Sequence, residues 1–133
     1  MRQQLPQIVI LSAELSENTK DQNEHLTAKL ACALGDMNMP FKSVQGMYKG
    51  HKENSFLVIV RDFKEISLMN NLAWAYHQES ILYCDQDRNA FLVYCDGTPA
   101  DALGVFQKVD SVEGLDAYTI DGDEYWTCKG EQS

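Results

Sequence analysis

No apolar run in this chain approaches the ~20 residues that a helix needs to cross a bilayer. Met1 to Gln7 also lack the charged-then-apolar profile of a signal peptide. These absences predict a soluble, cytoplasmic protein with no membrane partner. Basic side chains are scarce: 11 Lys and Arg stand against 20 Asp and Glu, a formal net charge of −9. Affinity for nucleic acid comes largely from Lys and Arg displacing counterions from phosphates, so direct nucleic-acid binding is not expected. Cysteines are few and dispersed. Cys32, Cys84, Cys95 and Cys128 form no C-x-x-C pair and no histidine stands at ligand spacing from them. No metal is therefore expected, and all four cysteines read as free thiols. Phosphate-loop, nucleophile-elbow, zincin and dinucleotide motifs are missing as well. Nothing assigns a catalytic residue, and no cofactor is implied.

What is present suits a single domain over residues 1–133: the length fits one core, and 44% hydrophobic residues is too many for a disordered chain. Gln7 to Ala13 carries the continuous run Ile8, Val9, Ile10, Leu11, the mark of a strand buried on both faces. Thr19 followed by Gln22 forms a capping-box pattern that opens a helix, and Leu26, Leu30, Ala33, Leu34 and Met37 recur along one stripe until Pro40. Phe41 to Gly50 reads as extended, and Ser55 to Val60 as a second buried strand, the two joined by a loop from Lys49 to Asn54. Asp62 and Glu65 open a second helix running to about His77. The remainder reads as β: Ser80 to Cys84 and Ala90 to Cys95 as a hairpin, then Val105 to Val109, then Ala117 to Ile120 paired with Glu124 to Cys128 across Asp121-Gly122. Lys129 to Ser133 is expected to fray.

The resulting order, β-α-β-β-α-β-β-β-β-β, predicts an α+β fold: a mostly antiparallel sheet with two helices packed on one face. Its core is expected to hold Ile8, Ile10, Leu30, Leu34, Phe56, Val58, Leu72, Leu82, Leu92 and Val93.

Charge is unevenly spread. Residues 1–84 hold 9 acidic and 8 basic side chains, whereas residues 85–133 hold 11 acidic and only 3 basic. The acids of the second part, Asp85, Asp87, Asp110, Glu113, Asp116, Asp121, Asp123 and Glu124, either decorate turns or present a negative surface to a basic protein partner. A second candidate site is the segment around Gly46–Phe56. Tyr48, Lys49, His51, Lys52, Glu53 and Ser55 combine an amphipathic ring, a small basic cluster and an acid between two glycines. Gln78 and Glu79, at a helix-to-strand junction, are expected to share one concave surface with them and hold a small polar ligand.

The same residues carry a resemblance. Asn18 and Asn23, then G-x-Y-x-G-x-x-E-x-S-F at Gly46, Tyr48, Gly50, Glu53, Ser55 and Phe56, then Gln78-Glu79-Ser80-Ile81-Leu82 resemble a family of small bacterial and tailed-phage proteins that has no assigned activity, over roughly Ser12 to Gly97. The resemblance implies a phage or prophage origin. On this reading the chain is a small acidic accessory protein, a monomer or small homo-oligomer, that binds a host protein with a basic surface, such as a defence or nucleic-acid-processing enzyme. The alternative is a small-ligand or nucleotide-binding domain, with Glu53 or Glu79 as acid or base and weak enzymatic activity at most.

Overall fold

Alternation of side chains along a strand lets one apolar run serve two different cores, and β1 (Gln7–Ser12) does this. In the computed structural model, which describes residues 5–130, Val9 and Leu11 face the two helices while Ile8 and Ile10 face the opposite way. The other elements are α1 (Lys20–Asp36), β2 (Phe41–Tyr48), β3 (His51–Val60), α2 (Phe63–Ala75), β4 (Ser80–Cys84), β5 (Asn89–Tyr94), β6 (Asp101–Val109), β7 (Ala117–Asp121) and β8 (Glu124–Lys129).

The order of elements is the expected one, but the architecture is not. Instead of an open sheet covered on one face, the eight strands close into an antiparallel barrel in the order β1-β3-β2-β7-β8-β6-β5-β4. Closure follows from β1 having two partners, β3 over its whole length and β4 at Ile8 to Ile10, and from β2 pairing with β7 from Gln45 to Tyr48. A closed barrel leaves no unpaired strand edge, and eight strands enclose a space that side chains fill or that holds one small ligand. The pairing of β2 with β7 joins segments some seventy residues apart, and local periodicity carries no trace of it.

Two cores result. Outside the barrel, α1 and α2 lie over β1, β3 and β4, burying Leu30, Leu34, Met69 and Ala73 against Val9, Leu11, Phe56, Val58, Val60 and Ile81. Inside, Ile8, Cys84, Ala90 and Phe106 form a smaller cluster, with Ile10, Leu57, Leu82, Leu103, Trp126 and Cys128 packed against it. Of the expected core residues, Ile8, Leu30, Leu34, Phe56 and Val58 are buried, whereas Ile10, Leu72, Leu82, Leu92 and Val93 are half-buried. Most of these five line the barrel interior, which is not completely filled.

The helix starts form as expected. The Thr19 hydroxyl accepts from the Gln22 amide, the Gln22 side chain accepts from the Thr19 amide, and the Asp62 carboxylate accepts from the Glu65 amide. α2 stops at Ala75, short of His77, which takes a left-handed conformation. The largest local departure lies between β2 and β3. No loop runs from Lys49 to Asn54; Lys49 (φ 49°) and Gly50 (φ 82°) make a two-residue turn, and His51 to Asn54 already belong to the strand. Positive φ at both central residues matches the tight turns that suit the twist of a hairpin. The consequence is functional: Glu53 stands on a rigid strand. At the other end Lys129 belongs to β8, and residues 131–133 lie outside the described residues. Among the described residues no helix is long and apolar enough to cross a membrane.

Candidate active site

At the end of the barrel marked by the β2–β3 turn, the interior opens into a cavity of about 740 Å³. The Phe106 and Trp126 rings, stacked with centroids 5.4 Å apart, line it from within and also line a smaller cavity of about 220 Å³ toward the opposite end. Leu82, Leu92 and Leu103 supply an apolar wall, and Tyr48, Tyr118, His51, Asp116 and Glu53 surround the mouth. Two hydrogen bonds hold the mouth: the Lys49 amide donates to the Asp116 carbonyl (2.7 Å), and the Thr127 hydroxyl donates to the Ala117 carbonyl (2.9 Å).

Two carboxylates line this cavity, Asp116 at its mouth and, on strand β3, Glu53. The cross-strand neighbour of Glu53 is Gly46, where a β-carbon would meet nothing closer than 3.8 Å, so the absence of a side chain there leaves space beside the acid. Burial raises the Glu53 pKa, and the neighbouring Glu14 carboxylate raises it further, against a weaker opposing effect from a hydrogen bond with Ser12. Ser12 itself is buried, donates to the Asn54 carbonyl (2.9 Å) and accepts from the Glu14 amide (3.0 Å).

The candidate residues read from the sequence separate into three places. Tyr48, His51 and Glu53 line the cavity together. Lys49 is in the turn with its ammonium 5.3 Å from the Tyr48 ring centre, Lys52 is exposed and alternates away from Glu53 along β3, and Ser55 is buried opposite Ser12. Gln78 reaches back to donate to the Glu14 carbonyl (3.0 Å). Glu79 borders a separate cavity with Trp74, His77, Tyr94 and Asp96. One concave surface shared by all these residues therefore does not form: Glu53, on β3, lines one cavity, and Glu79, just before β4, borders another.

The acidic residues are also dispersed. Asp85 accepts from the Asp87 and Asn89 amides (2.9 Å each), Asp121 pairs with Lys42 (2.6 Å), and Glu124 pairs with Lys108 (3.1 Å), which lowers the Glu124 pKa. Asp110 and Glu113 border a shallow depression with Lys108 and Lys129, Asp116 lies at the cavity mouth, and Asp87 and Asp123 are exposed. Among the described residues no group of three or more His, Cys, Asp or Glu side chains is placed to hold a metal ion.

A family model described as the S-adenosylmethionine lyase family matches residues 9–129, from within β1 to the end of β8. The chain belongs to that family. No curated protein matches it significantly. Membership in an enzyme family overturns the reading of the chain as an accessory protein that binds and modulates a host macromolecule, and gives no support to a counter-defence role. The alternative of a small-ligand or nucleotide domain matches only weakly, since it foresaw no lyase. The match confirms neither a phage origin nor the G-x-Y-x-G-x-x-E-x-S-F pattern as a family signature.

Sequence reasoning missed the residues that complete the cavity. Phe106, Trp126 and Cys128 alternate correctly along β6 and β8 to share one face, a signal present in the sequence, but only barrel closure brings that face opposite Glu53.

Proposed function

We propose that this protein cleaves S-adenosylmethionine without water, releasing 5′-methylthioadenosine and homoserine lactone. The observation that carries the reading is the placement of a strand-borne carboxylate, Glu53, with Asp116 at the mouth, at the edge of an apolar, aromatic-lined cavity of ligand size, in a chain of this family. The substrate is an aromatic nucleoside joined to a chain that bears a sulfonium cation, an ammonium and a carboxylate. Aromatic rings attract a poorly hydrated cation such as a sulfonium through their electron-rich faces, and they stack on a base.

In the proposed step the substrate's own carboxylate attacks its γ-carbon. A carbon–oxygen bond closes the five-membered lactone, the bond from the γ-carbon to sulfur breaks, and its electron pair stays on sulfur, leaving a neutral thioether. No proton moves. The negative and positive charges that react cancel, so the transition state is less charged than the ground state, and an apolar wall such as Leu82, Leu92, Leu103, Phe106 and Trp126 favours it over water. Glu53 holds the ammonium and thereby turns the adjoining carboxylate toward the γ-carbon. Placing nucleophile and electrophile in contact supplies much of the acceleration an intramolecular reaction can gain. Tyr48 and Tyr118 border the mouth where the cationic chain enters. A cytoplasmic location belongs to the same proposal, because this substrate is a metabolite of the cytoplasm.

The test is to incubate the purified protein with S-adenosylmethionine in ¹⁸O-enriched water and identify products by mass spectrometry. Methylthioadenosine with lactone free of ¹⁸O at early times is expected. Intact substrate, vinylglycine from proton abstraction, or homoserine labelled at its hydroxyl oxygen from direct hydrolysis would each refute the mechanism. Glu53→Ala should lower kcat/KM about 10- to 100-fold, the range for losing a hydrogen bond to a charged group.

A further inference from the structure

The smaller cavity, of about 220 Å³, lies toward the opposite end of the barrel and takes no part in the proposed reaction. Ile8, Leu57, Ile59, Phe106 and Trp126 make most of its wall. An apolar cavity of about 150 Å³ already accepts a benzene ring, so this one has room for a ring with a substituent. Its charges differ from those of the larger cavity, which carries the carboxylates Glu53 and Asp116. Here Asp121 is committed to Lys42 (2.6 Å), and Arg88 forms no ion pair among the described residues.

Arg88 is fixed by its surroundings. It sits at φ 67°, a left-handed conformation that a residue with a side chain keeps only where the neighbouring structure imposes it. Its carbonyl accepts from the Phe106 amide (2.8 Å) and its Nη1 donates to the Pro6 carbonyl (3.0 Å), while its other guanidinium nitrogens have no partner among the described residues. The nearby acid Asp85 spends its carboxylate on the Asp87 and Asn89 amides (2.9 Å each). In the same wall the Trp126 indole nitrogen is buried and makes no hydrogen bond among the described residues, and the Glu124 carboxylate near it is bound to Lys108 (3.1 Å). An open guanidinium and a buried N–H around an apolar chamber are complementary to an anionic acceptor on an apolar body.

We propose that this chamber is a second ligand site, which takes a small aromatic or branched aliphatic carboxylate: the carboxylate pairs with Arg88, and the apolar body lies against Ile8, Leu57, Ile59 and the Phe106–Trp126 stack. The guanidinium presents a planar fork that matches the two oxygens of a carboxylate. Phosphate and sulfate do not fit, because a mostly apolar wall cannot replace the water that such an anion would shed. The two ends of the barrel thus select opposite charges, a cation at the Glu53 end and an anion at the Arg88 end, with one aromatic stack lining both cavities. Binding at the second site does not depend on the lyase reading.

The test compares benzoate with its neutral counterpart benzamide, using the full-length protein with ¹³C-labelled isoleucine and leucine methyl groups. Ile59→Val and Leu57→Met assign the signals. Benzoate should shift the Ile8, Leu57 and Ile59 methyls saturably, and its ring protons should show NOEs to them but not to Leu92 and Leu115, which line the larger cavity only. Benzamide with the parent, and benzoate with Arg88→Gln, should each bind about 10- to 100-fold more weakly, the range for losing a hydrogen bond to a charged group. Equal affinity for benzoate and benzamide overturns the proposal, and so do NOEs confined to Leu92 and Leu115 or the absence of any saturable shift. Unchanged benzoate affinity in a folded Arg88→Gln protein overturns it as well; should that variant not fold, the ratio of benzoate to benzamide affinity in the parent decides.

Discussion

A β-carbon at Gly104 would lie 2.0 Å from the carbonyl oxygen of Lys129, on the neighbouring strand of the barrel. Gly104 has φ +93°, and it stands where the pairing of β5 with β6 slips register next to Ala90. The slip bends β6 so that it pairs with β5 at one end and with β8 at the other, which closes the barrel.

Gly104→Ala should accordingly be among the most damaging small substitutions. It combines a left-handed backbone with a collision against main chain that cannot swing aside, and a loss of about 2 to 5 kcal/mol is expected from these two mechanisms together. Gly46→Ala is the contrast, because its β-carbon would find only ordinary contacts. Urea denaturation of the two variants checks this: a Gly104→Ala midpoint equal to that of the parent would contradict the described pairing of β6.

The acidic end offers a second comparison. Asp85 organises the β4–β5 turn through two backbone amides and the Asn89 side chain, whereas Asp87 is exposed in the same turn and accepts no hydrogen bond among those described. Asp85→Ala should cost about 1 to 2 kcal/mol, the scale of a lost cap, and Asp87→Lys should stay within about 0.5 kcal/mol. Equal denaturation midpoints for the two variants would show that the turn does not depend on Asp85. Asp121 and Glu124, each paired with a lysine, should fall nearer to Asp87 than to Asp85, because partly exposed ion pairs contribute little.

These differences mark the boundary of what the sequence made legible. Helix starts were readable because Thr19–Gln22 and Asp62–Glu65 act within one turn, and strands were readable because Ile8 to Leu11 and Phe56 to Val60 carry their burial with them. Closure was not, since it depends on β2 meeting β7 and on a glycine whose neighbour is twenty-five residues away. The site followed the same division. Tyr48, His51 and Glu53 line one cavity because they sit close together on one hairpin, a proximity that the sequence carries, whereas Glu79 borders a different cavity, which adjacency to a strand does not reveal. Phe106 and Trp126 enter the cavity through the fold alone.

Glu53 also links function to stability. Its pKa is raised in the folded protein by burial and by Glu14. A carboxyl whose folded pKa lies above its unfolded value binds more protons when folded, so its contribution is fully present below the unfolded pKa and is lost as pH rises through the folded one. Near neutral pH the ionised Glu53 therefore opposes folding. Glu53→Gln should raise the Tm at pH 7 relative to the parent, and the difference should shrink as pH falls below the ordinary glutamate range. Thermal unfolding across pH 3.5 to 7.5 measures it, and a Glu53→Gln protein less stable than the parent at pH 7 would show that the carboxylate is satisfied rather than strained. Lost activity with gained stability would mark Glu53 as a residue kept for chemistry.

The cysteines report on the cavity directly. All four are free thiols, Cys32 exposed, Cys84 buried, and Cys95 and Cys128 half-buried. Cys128 borders the same cavity as Glu53, and burial together with the nearby Cys84 thiol pushes its pKa up to about 11. Since the thiolate is the reactive form, at pH 8 about one Cys128 in a thousand is poised to react at any moment. Iodoacetamide should therefore modify Cys32 first and Cys128 much later, gaining on Cys128 as pH is raised toward 10. A non-cleavable thioether analogue of S-adenosylmethionine, seated between Glu53 and the Phe106–Trp126 stack, would cover Cys128 and leave Cys32 open. Peptide mapping by mass spectrometry should then show Cys128 protected several-fold and Cys32 unaffected. If the analogue binds with an unchanged Cys128 rate, the ligand sits elsewhere, and Glu53 loses its place in the site; if Cys128 is protected in the parent but not in Glu53→Ala, the carboxylate is what draws the ligand into the barrel.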